Sequence, residues 1–285
     1  MAGQVKWTHQ RANRLWRDWL KGGGLIWSPA YHSFLNVRSF SSRGFTSEVV
    51  SRKFGRPFVL FSYAERGAFF VFEARPDVEG LCEQVPLDPQ ETQRLALELG
   101  ITHPCYPRTK VPMVMTCDFL ILVRTAQGTI SVAIDVKDDT GAMAWRTTEK
   151  LMITRTYYAR RGIRHLILFS KDIPEALVNN LEWIRMAEAR PGEILSCKEQ
   201  LDELAGIMAD ELASTCFDSR PLDVLCRDFD ARHGQRPGRG LRIARILMAR
   251  RVLSADLLKP TLAEQPLSNF ALSPRWPALL EQKAV

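Results

Sequence analysis

The sequence lacks any long hydrophobic run. Its longest apolar stretches, such as residues 119–123 and 166–169, are strand-sized and fall far short of the roughly 18 residues that a membrane-spanning helix needs. Residues 1–9 carry Lys6 and have no apolar core behind them, so a secretory signal is not expected and a cytoplasmic location is. No CxxC pair occurs among Cys82, Cys105, Cys117, Cys197, Cys216 and Cys226. A closed structural zinc site needs paired ligands, so none is expected, although His103 and Cys105 lie between Cys82 and Cys117. In a cytoplasmic chain all six read as reduced thiols. Internal repeats and low-complexity tracts are also missing, which argues against a solenoid.

What is present is a globular composition. The 285 residues are 46% hydrophobic and 25% charged, enough for about two cores. The surplus of positive charge sits in two blocks. Residues 1–56 hold 10 Lys/Arg against 2 Asp/Glu, and residues 227–251 hold 8 against 2, whereas residues 57–226 hold 18 against 25. Basic ends around an acidic middle suit a protein that grips a polyanion and keeps carboxylates for chemistry, and they equally suit solvated basic faces.

Periodicity predicts a helix over 63–74 with Glu65, Phe69 and Phe72 on one face, and a strand over 81–85 closed by Pro86 and Pro89. Two further strands, 115–124 and 129–137, meet at a turn placed at Gln127-Gly128. A helix over 145–161 ended by Gly162, a buried strand over 164–170 and a helix over 174–188 follow. A hairpin plus a strand reached through a helical crossover makes an α/β unit with a mixed sheet. Beyond the break at Arg190-Pro191-Gly192, helices are expected over 198–213, from Pro221 to about His233 with Ser219 as cap, and over 239–252. A short strand at 253–258 then completes a winged-helix-like order. The expected organisation is a basic segment 1–50, an α/β domain 51–172 and a mainly helical C-terminal domain 173–285.

On the helix over 239–252, Leu241, Ala244, Leu247, Met248 and Val252 share one side and Arg239, Arg242, Arg245 and Arg250 the other. Such a helix can lie against DNA phosphates. It can equally bind an acidic protein partner.

The chemistry is expected in the hairpin. Strand side chains alternate, so Asp135 and Lys137 share a face. With a two-residue loop at Gln127-Gly128, Asp118 falls opposite Lys137 and Leu120 opposite Asp135, which gathers two carboxylates and an ammonium on one patch. A three-residue loop would throw Asp118 to the far face. The otherwise apolar strand around Asp118 marks it as buried, where a lone carboxylate is costly unless paired or metal-bound. Two acids can hold Mg²⁺ through oxygen while a lysine stabilises charge developing on phosphorus, a pattern that fits a nuclease. An acid-x-Lys triplet arises about once by chance in such a composition, and Glu281-Gln282-Lys283 is a second instance. The spacing alone also admits a surface salt bridge.

The residue order Tyr63-Ala64-Glu65, Glu83-Gln84-Val85-Pro86-Leu87, Gly100-Ile101 with His103-Pro104, Met115-Thr116-Cys117-Asp118-Phe119-Leu120 and Val132-Ala133-Ile134-Asp135-Val136-Lys137 resembles the TnsA family. So do Thr148-Glu149-Lys150-Leu151, Phe169-Ser170-Lys171-Asp172-Ile173 and Asn180-Leu181-Glu182-Trp183. Members of that family are endonuclease subunits of heteromeric cut-and-paste transposases. The resemblance implies a restriction-endonuclease-like fold and Mg²⁺-dependent cleavage, with Mn²⁺ as a substitute, of the 5′ strands at transposon ends. Its implied partners are transposon-end DNA, a TnsB-like DDE transposase and a TnsC-like AAA+ ATPase. Glu65 and Asp118 match the family's metal-binding acids, Asp135 and the Val136 carbonyl would complete the metal shell, and Lys137 matches the catalytic lysine. The family's best-known member carries Gln where this chain has Asp135, so an added negative charge should tighten metal binding. A catalytically inactive DNA-binding adaptor and a stand-alone restriction or repair nuclease are the alternative readings.

Overall fold

The computed structural model describes residues 7–22, 26–28, 30–35, 45–138, 144–187, 195–215 and 218–281. The chain divides into two compact units, Met1–Ile173 and Pro174–Val285.

In the first unit, helix α1 (His9–Gly22) is followed by strands β1 (Ser47–Val50) and β2 (Pro57–Leu60), which pair with each other, and by α2 (Tyr63–Ala74). Next come β3 (Val78–Pro86), α3 (Pro89–Glu98), β4 (Thr116–Thr125), β5 (Gly128–Lys137), α4 (Trp145–Ala159) and β6 (Arg164–Phe169). The four-stranded sheet has the order β3-β4-β5-β6. Its first two pairings are antiparallel and the last is parallel, because β6 is reached through α4. Residues left by sequence reasoning to a separate basic segment join this unit's core: Trp19 and Tyr31 are buried with Leu95, Leu120, Ala133, Ile153 and Tyr157.

Helix α2 begins where Ser62 accepts a hydrogen bond from the Glu65 amide, which satisfies one of the first-turn donors. Helix α3, absent from the sequence-based expectation, has Asp88 as its cap and Pro89 in its first turn. That start signal was present between the two prolines read only as strand closure. Phe72 meets Phe119 edge-on at 5.5 Å and places α2 on one face of the sheet. The cluster of Leu95, Ile153 and Tyr157 with Ala133 places α3 and α4 on the other. Each fully buried Phe, such as Phe69 and Phe119, contributes about 1.5–3 kcal/mol.

Three expectations are corrected. The hairpin turn is Ala126-Gln127, with Thr125 paired to Gly128, one residue earlier than expected. Strand β6 is not buried: it is an edge strand with Leu166 and Ile167 37% and 40% exposed. Its apolar run reflects strand propensity, with only one neighbouring strand to cover it. Ser219 does not cap its helix, whose N-cap is Pro221 with no side-chain hydrogen bond.

The second unit contains α5 (Glu175–Arg185), α6 (Leu195–Ser214), α7 (Leu222–Arg232), α8 (Arg239–Ala249), β7 (Leu253–Ala255), β8 (Phe270–Leu272) and α9 (Trp276–Glu281). Strands β7 and β8 form an antiparallel ribbon after the helices. Asp230 accepts hydrogen bonds from the Gly238 and Gly240 amides at 2.9 and 2.6 Å and so caps α8. Helices α7 and α8 approach so closely that a Cβ on Gly240 would lie 2.5 Å from the Cys226 carbonyl oxygen. Helix α8 is the hub of this unit, with Gly240, Ile243, Ala244, Ile246, Leu247 and Met248 buried. The expected break at residues 190–192 lies outside the described residues.

Candidate active site

Leu120 pairs with Ala133 and Leu122 with Ser131. The pairing ends at Phe119 and Ile134, and past it the Asp118 carboxylate meets the Lys137 ammonium, which also faces Asp135. Against the expected pairing the register is displaced by two residues, and a displacement of two keeps every side chain on its face. Asp118, Asp135 and Lys137 come together, although through another pairing than the one expected.

Lys137 Nζ lies 2.9 Å from Asp118 Oδ2 and 3.6 Å from Asp135 Oδ1, and it donates to the Val136 carbonyl at 2.9 Å. Asp118 Oδ2 also accepts the Val136 amide at 2.8 Å. Burial, then the charge of Asp135, raises the Asp118 pKa, while Lys137 opposes the shift. Burial pulls the Lys137 ammonium down, but Asp118 and Asp135 together more than offset it and the net direction is up. The lysine is held charged.

Glu65, in the first turn of α2, is buried. Its Oε2 accepts from the Phe61 amide at 3.0 Å and from Gln84 Nε2 at 3.1 Å. Burial first, and then Asp118, raise its pKa from 4.5 to about 7. The carboxylates thus repel one another, and one ammonium does not balance three acids. An all-oxygen set of Glu65, Asp118, Asp135 and the Val136 carbonyl, with excess negative charge, fits a hard divalent cation such as Mg²⁺.

Several residues of the site escaped sequence reasoning. Gln84 holds Glu65, accepts from Thr116 Oγ1 at 3.2 Å, and is buried at a left-handed φ of 47°. A non-glycine residue there costs about 1–3 kcal/mol and persists where surrounding contacts demand it. Two consecutive polar residues, Glu83 and Gln84, between Leu81-Cys82 and Val85 were the available signal. His165, with a 2% exposed side chain, lies with Nε2 2.9 Å from Asp135 Oδ2; since a carboxylate only accepts, the ring donates. Tyr158 stacks on that imidazole at 6.2 Å. Nothing in the 164–170 pattern marked His165, because its partner is 30 residues away.

Cys117, Asp135 and His165 also bring potential ligand atoms within 4.8 Å of one another. The Cys117 thiol is a poor third ligand: burial and the charges of Asp135 and Asp118 push its pKa well above 9.0, and its Sγ hydrogen-bonds the Phe119 and Ile134 carbonyls. Metal binding needs the thiolate. His165 therefore reads as the orienting partner of Asp135.

A pocket of about 140 Å³ opens over the cluster, lined by Asp118, Asp135 and Lys137 from the sheet and by Thr147, Lys150, Leu151 and Thr154 from α4. The matched segments have known relatives. A family model described as TnsA-like endonuclease N terminal matches residues 75–170, and one described as TnsA endonuclease C terminal matches residues 172–257. The chain belongs to the TnsA family. It is 29% identical over 241 residues to the transposon Tn7 transposition protein TnsA of Escherichia coli, covering 84% of each chain. Its sheet, mixed and flanked by helices, is that expected of a restriction-endonuclease-like member of the family. No helix among the described residues is long and apolar enough to cross a membrane.

The four arginines expected to face DNA are placed differently. Arg242 Nε donates to the Ala187 carbonyl at 2.8 Å, Arg245 Nε to the Trp183 carbonyl at 2.9 Å, and Arg250 pairs with Asp202 at 2.5 Å. The Arg245 guanidinium also lies 4.7 Å from the centre of the Trp183 ring. These groups satisfy carbonyls at the C-terminal end of α5 and a carboxylate on α6. Arg239 is half-buried. The single free cationic face drawn on a helical wheel is replaced by internal pairing, because α8 is covered by α5, α6 and α7 rather than lying on the surface.

Proposed function

We propose that this chain is the endonuclease subunit of a cut-and-paste transposase and hydrolyses phosphodiester bonds in the 5′, non-transferred strands at its element's ends. The observation that carries the reading is Lys137 Nζ set between Asp118 and Asp135, at 2.9 and 3.6 Å, on the floor of an open pocket. The similarity to Tn7 TnsA supports it. Glu65, Asp118, Asp135 and the Val136 carbonyl are the ligands for one or more Mg²⁺ ions, with Mn²⁺ a competent substitute. When bound, the cation supplies charge neutralisation and polarisation of a phosphoryl oxygen.

The chain's own groups do the rest. Asp118 fixes the Lys137 ammonium, and His165 fixes the Asp135 carboxylate through its ring N–H. Set between Asp118 and Asp135, Lys137 serves as a preorganised positive charge for the transition state. Gln84 holds Glu65 at the edge of the same cluster. The partners are transposon-end DNA, a TnsB-like DDE transposase that handles the other strands, and a TnsC-like AAA+ ATPase.

The test is strand nicking of labelled end DNA by the full chain with these partners. Asp118→Ala and Lys137→Ala are expected to abolish 5′ nicking while partner assembly is retained. Undiminished cutting by either variant refutes the mechanism, and partner-independent cutting by the parent protein would instead make it a stand-alone nuclease.

A further inference from the structure

The wall of the pocket opposite the catalytic strands is one stripe of α4. Thr147, Lys150, Leu151 and Thr154 recur at i, i+3, i+4 and i+7, the spacing of a single helix face, and all line the pocket. This is the inward stripe. Leu151 and Thr154 are buried on this stripe, and Lys150, exposed to solvent, lines the pocket beside them; Trp145 and Met152 are exposed as well. An exposed lysine needs no internal counter-charge, so its ammonium can meet an anion that enters the pocket.

Among the described residues no carboxylate pairs with Lys150. Glu149, the nearest acid in sequence, is taken by Arg146 at 2.7 Å. Asp118 and Asp135 face Lys137 and the ring N–H of His165, and are the proposed metal ligands. Burial, followed by the like charges of Arg146 and Lys137, lowers the Lys150 pKa, with no carboxylate acting the other way. The sheet side of the pocket therefore carries the acids proposed to hold the metal, with Lys137 between two of them, while Lys150 stands on the helix side with no ion-pair partner among the described residues. A phosphate entering between them supplies one.

We propose that Lys150 is a second phosphate-binding cation of this site, contacting a non-bridging oxygen of the DNA backbone at or beside the bond that is cut. The proposal rests on the nuclease reading above. It makes Lys150 a substrate contact rather than a metal ligand or a structural group. The hydroxyls of Thr147 and Thr154 line the same wall, although Thr154 Oγ1 is held by the Lys150 carbonyl at 3.2 Å.

The test uses the full chain assembled with the DDE transposase and AAA+ subunits of its element, nicking a labelled DNA duplex in Mg²⁺ at several NaCl concentrations. Lys150→Met should raise KM for DNA about tenfold. It should also reduce the slope of log(kcat/KM) against log salt by about 0.9, the value for one lost phosphate contact. The magnesium midpoint should stay at the parent value, the melting temperature should not fall, and Lys150→Arg should restore most of the loss. Kinetics within twofold of the parent at every salt concentration would overturn the proposal. So would a shifted magnesium midpoint, or a lowered melting temperature with an unchanged salt slope. Asp118→Ala, run in parallel, separates the two failures. If it still cuts, the nuclease mechanism falls and Lys150 with it; if it is dead while Lys150→Met cuts normally, only the Lys150 assignment falls.

Discussion

Glu65 offers a sharp test of the charge balance in the site, because the same carboxylate is a proposed ligand and a burden on the unliganded fold. Its pKa stands at about 7 in the folded protein against an ordinary 4.5. The unfolded chain therefore releases this proton first as pH rises, the folded state binds more protons between those values, and stability falls through that window. At about 1.4 kcal/mol per pH unit, the gap amounts to roughly 3 kcal/mol lost by about pH 8. Glu65→Gln removes the buried charge, and its amide oxygen can still accept from the Phe61 amide and Gln84 Nε2. In EDTA the variant should match wild type near pH 4.5 and exceed it progressively up to pH 8, by roughly 3 kcal/mol or about 6–12 °C in Tm of the first unit. Denaturant unfolding and calorimetry at both pH values measure this. Saturating Mg²⁺ should close the gap by stabilising wild type alone, and the variant should not nick DNA. A stability difference that is the same at both pH values would refute the burial and repulsion on which the cluster is built.

Two further outcomes concern the second unit. Replacing Arg242 and Arg245 together by alanine should lower its melting temperature, with a cost of about 1–3 kcal/mol for the lost carbonyl hydrogen bonds and ring contact. It should leave the salt dependence of DNA binding unchanged; a flattened salt slope with undiminished stability would return these side chains to the DNA interface. Gly240→Ala should destabilise by about 1–3 kcal/mol, because its Cβ would meet the backbone carbonyl of Cys226 at 2.5 Å and α7 and α8 must part. Thermal unfolding at parent temperature would show instead that the two helices can separate freely.

Much of the candidate site was legible because it depends on local rules. Helix α2 was expected over 63–74 and lies there, since its apolar positions repeat at helical spacing and Ser62 precedes them. The common face of Asp135 and Lys137 follows from the two-residue period of a strand, whatever the strand pairs with. Asp118 still meets Lys137 although the turn moved by one residue. Gln84, His165 and Lys150 were not legible. Each lies against a partner or pocket brought near by tertiary folding: α2 for Gln84, β5 for His165 across a parallel pairing, and the sheet for Lys150 across the pocket.

The arginines of α8 show the same division from the other side. Amphipathic spacing determined that Arg239, Arg242, Arg245 and Arg250 would avoid the leucine side of the helix. It could not say what would cover them, since a wheel records direction and not neighbours. Packing of α5 and α6 decided that, by presenting carbonyls and Asp202 where open solvent had been assumed. Periodicity and alternation are properties of a few successive residues and survive in any context. Register, burial of an edge strand and the pairing of charges are settled by segments far apart in the chain, whose meeting depends on the whole core.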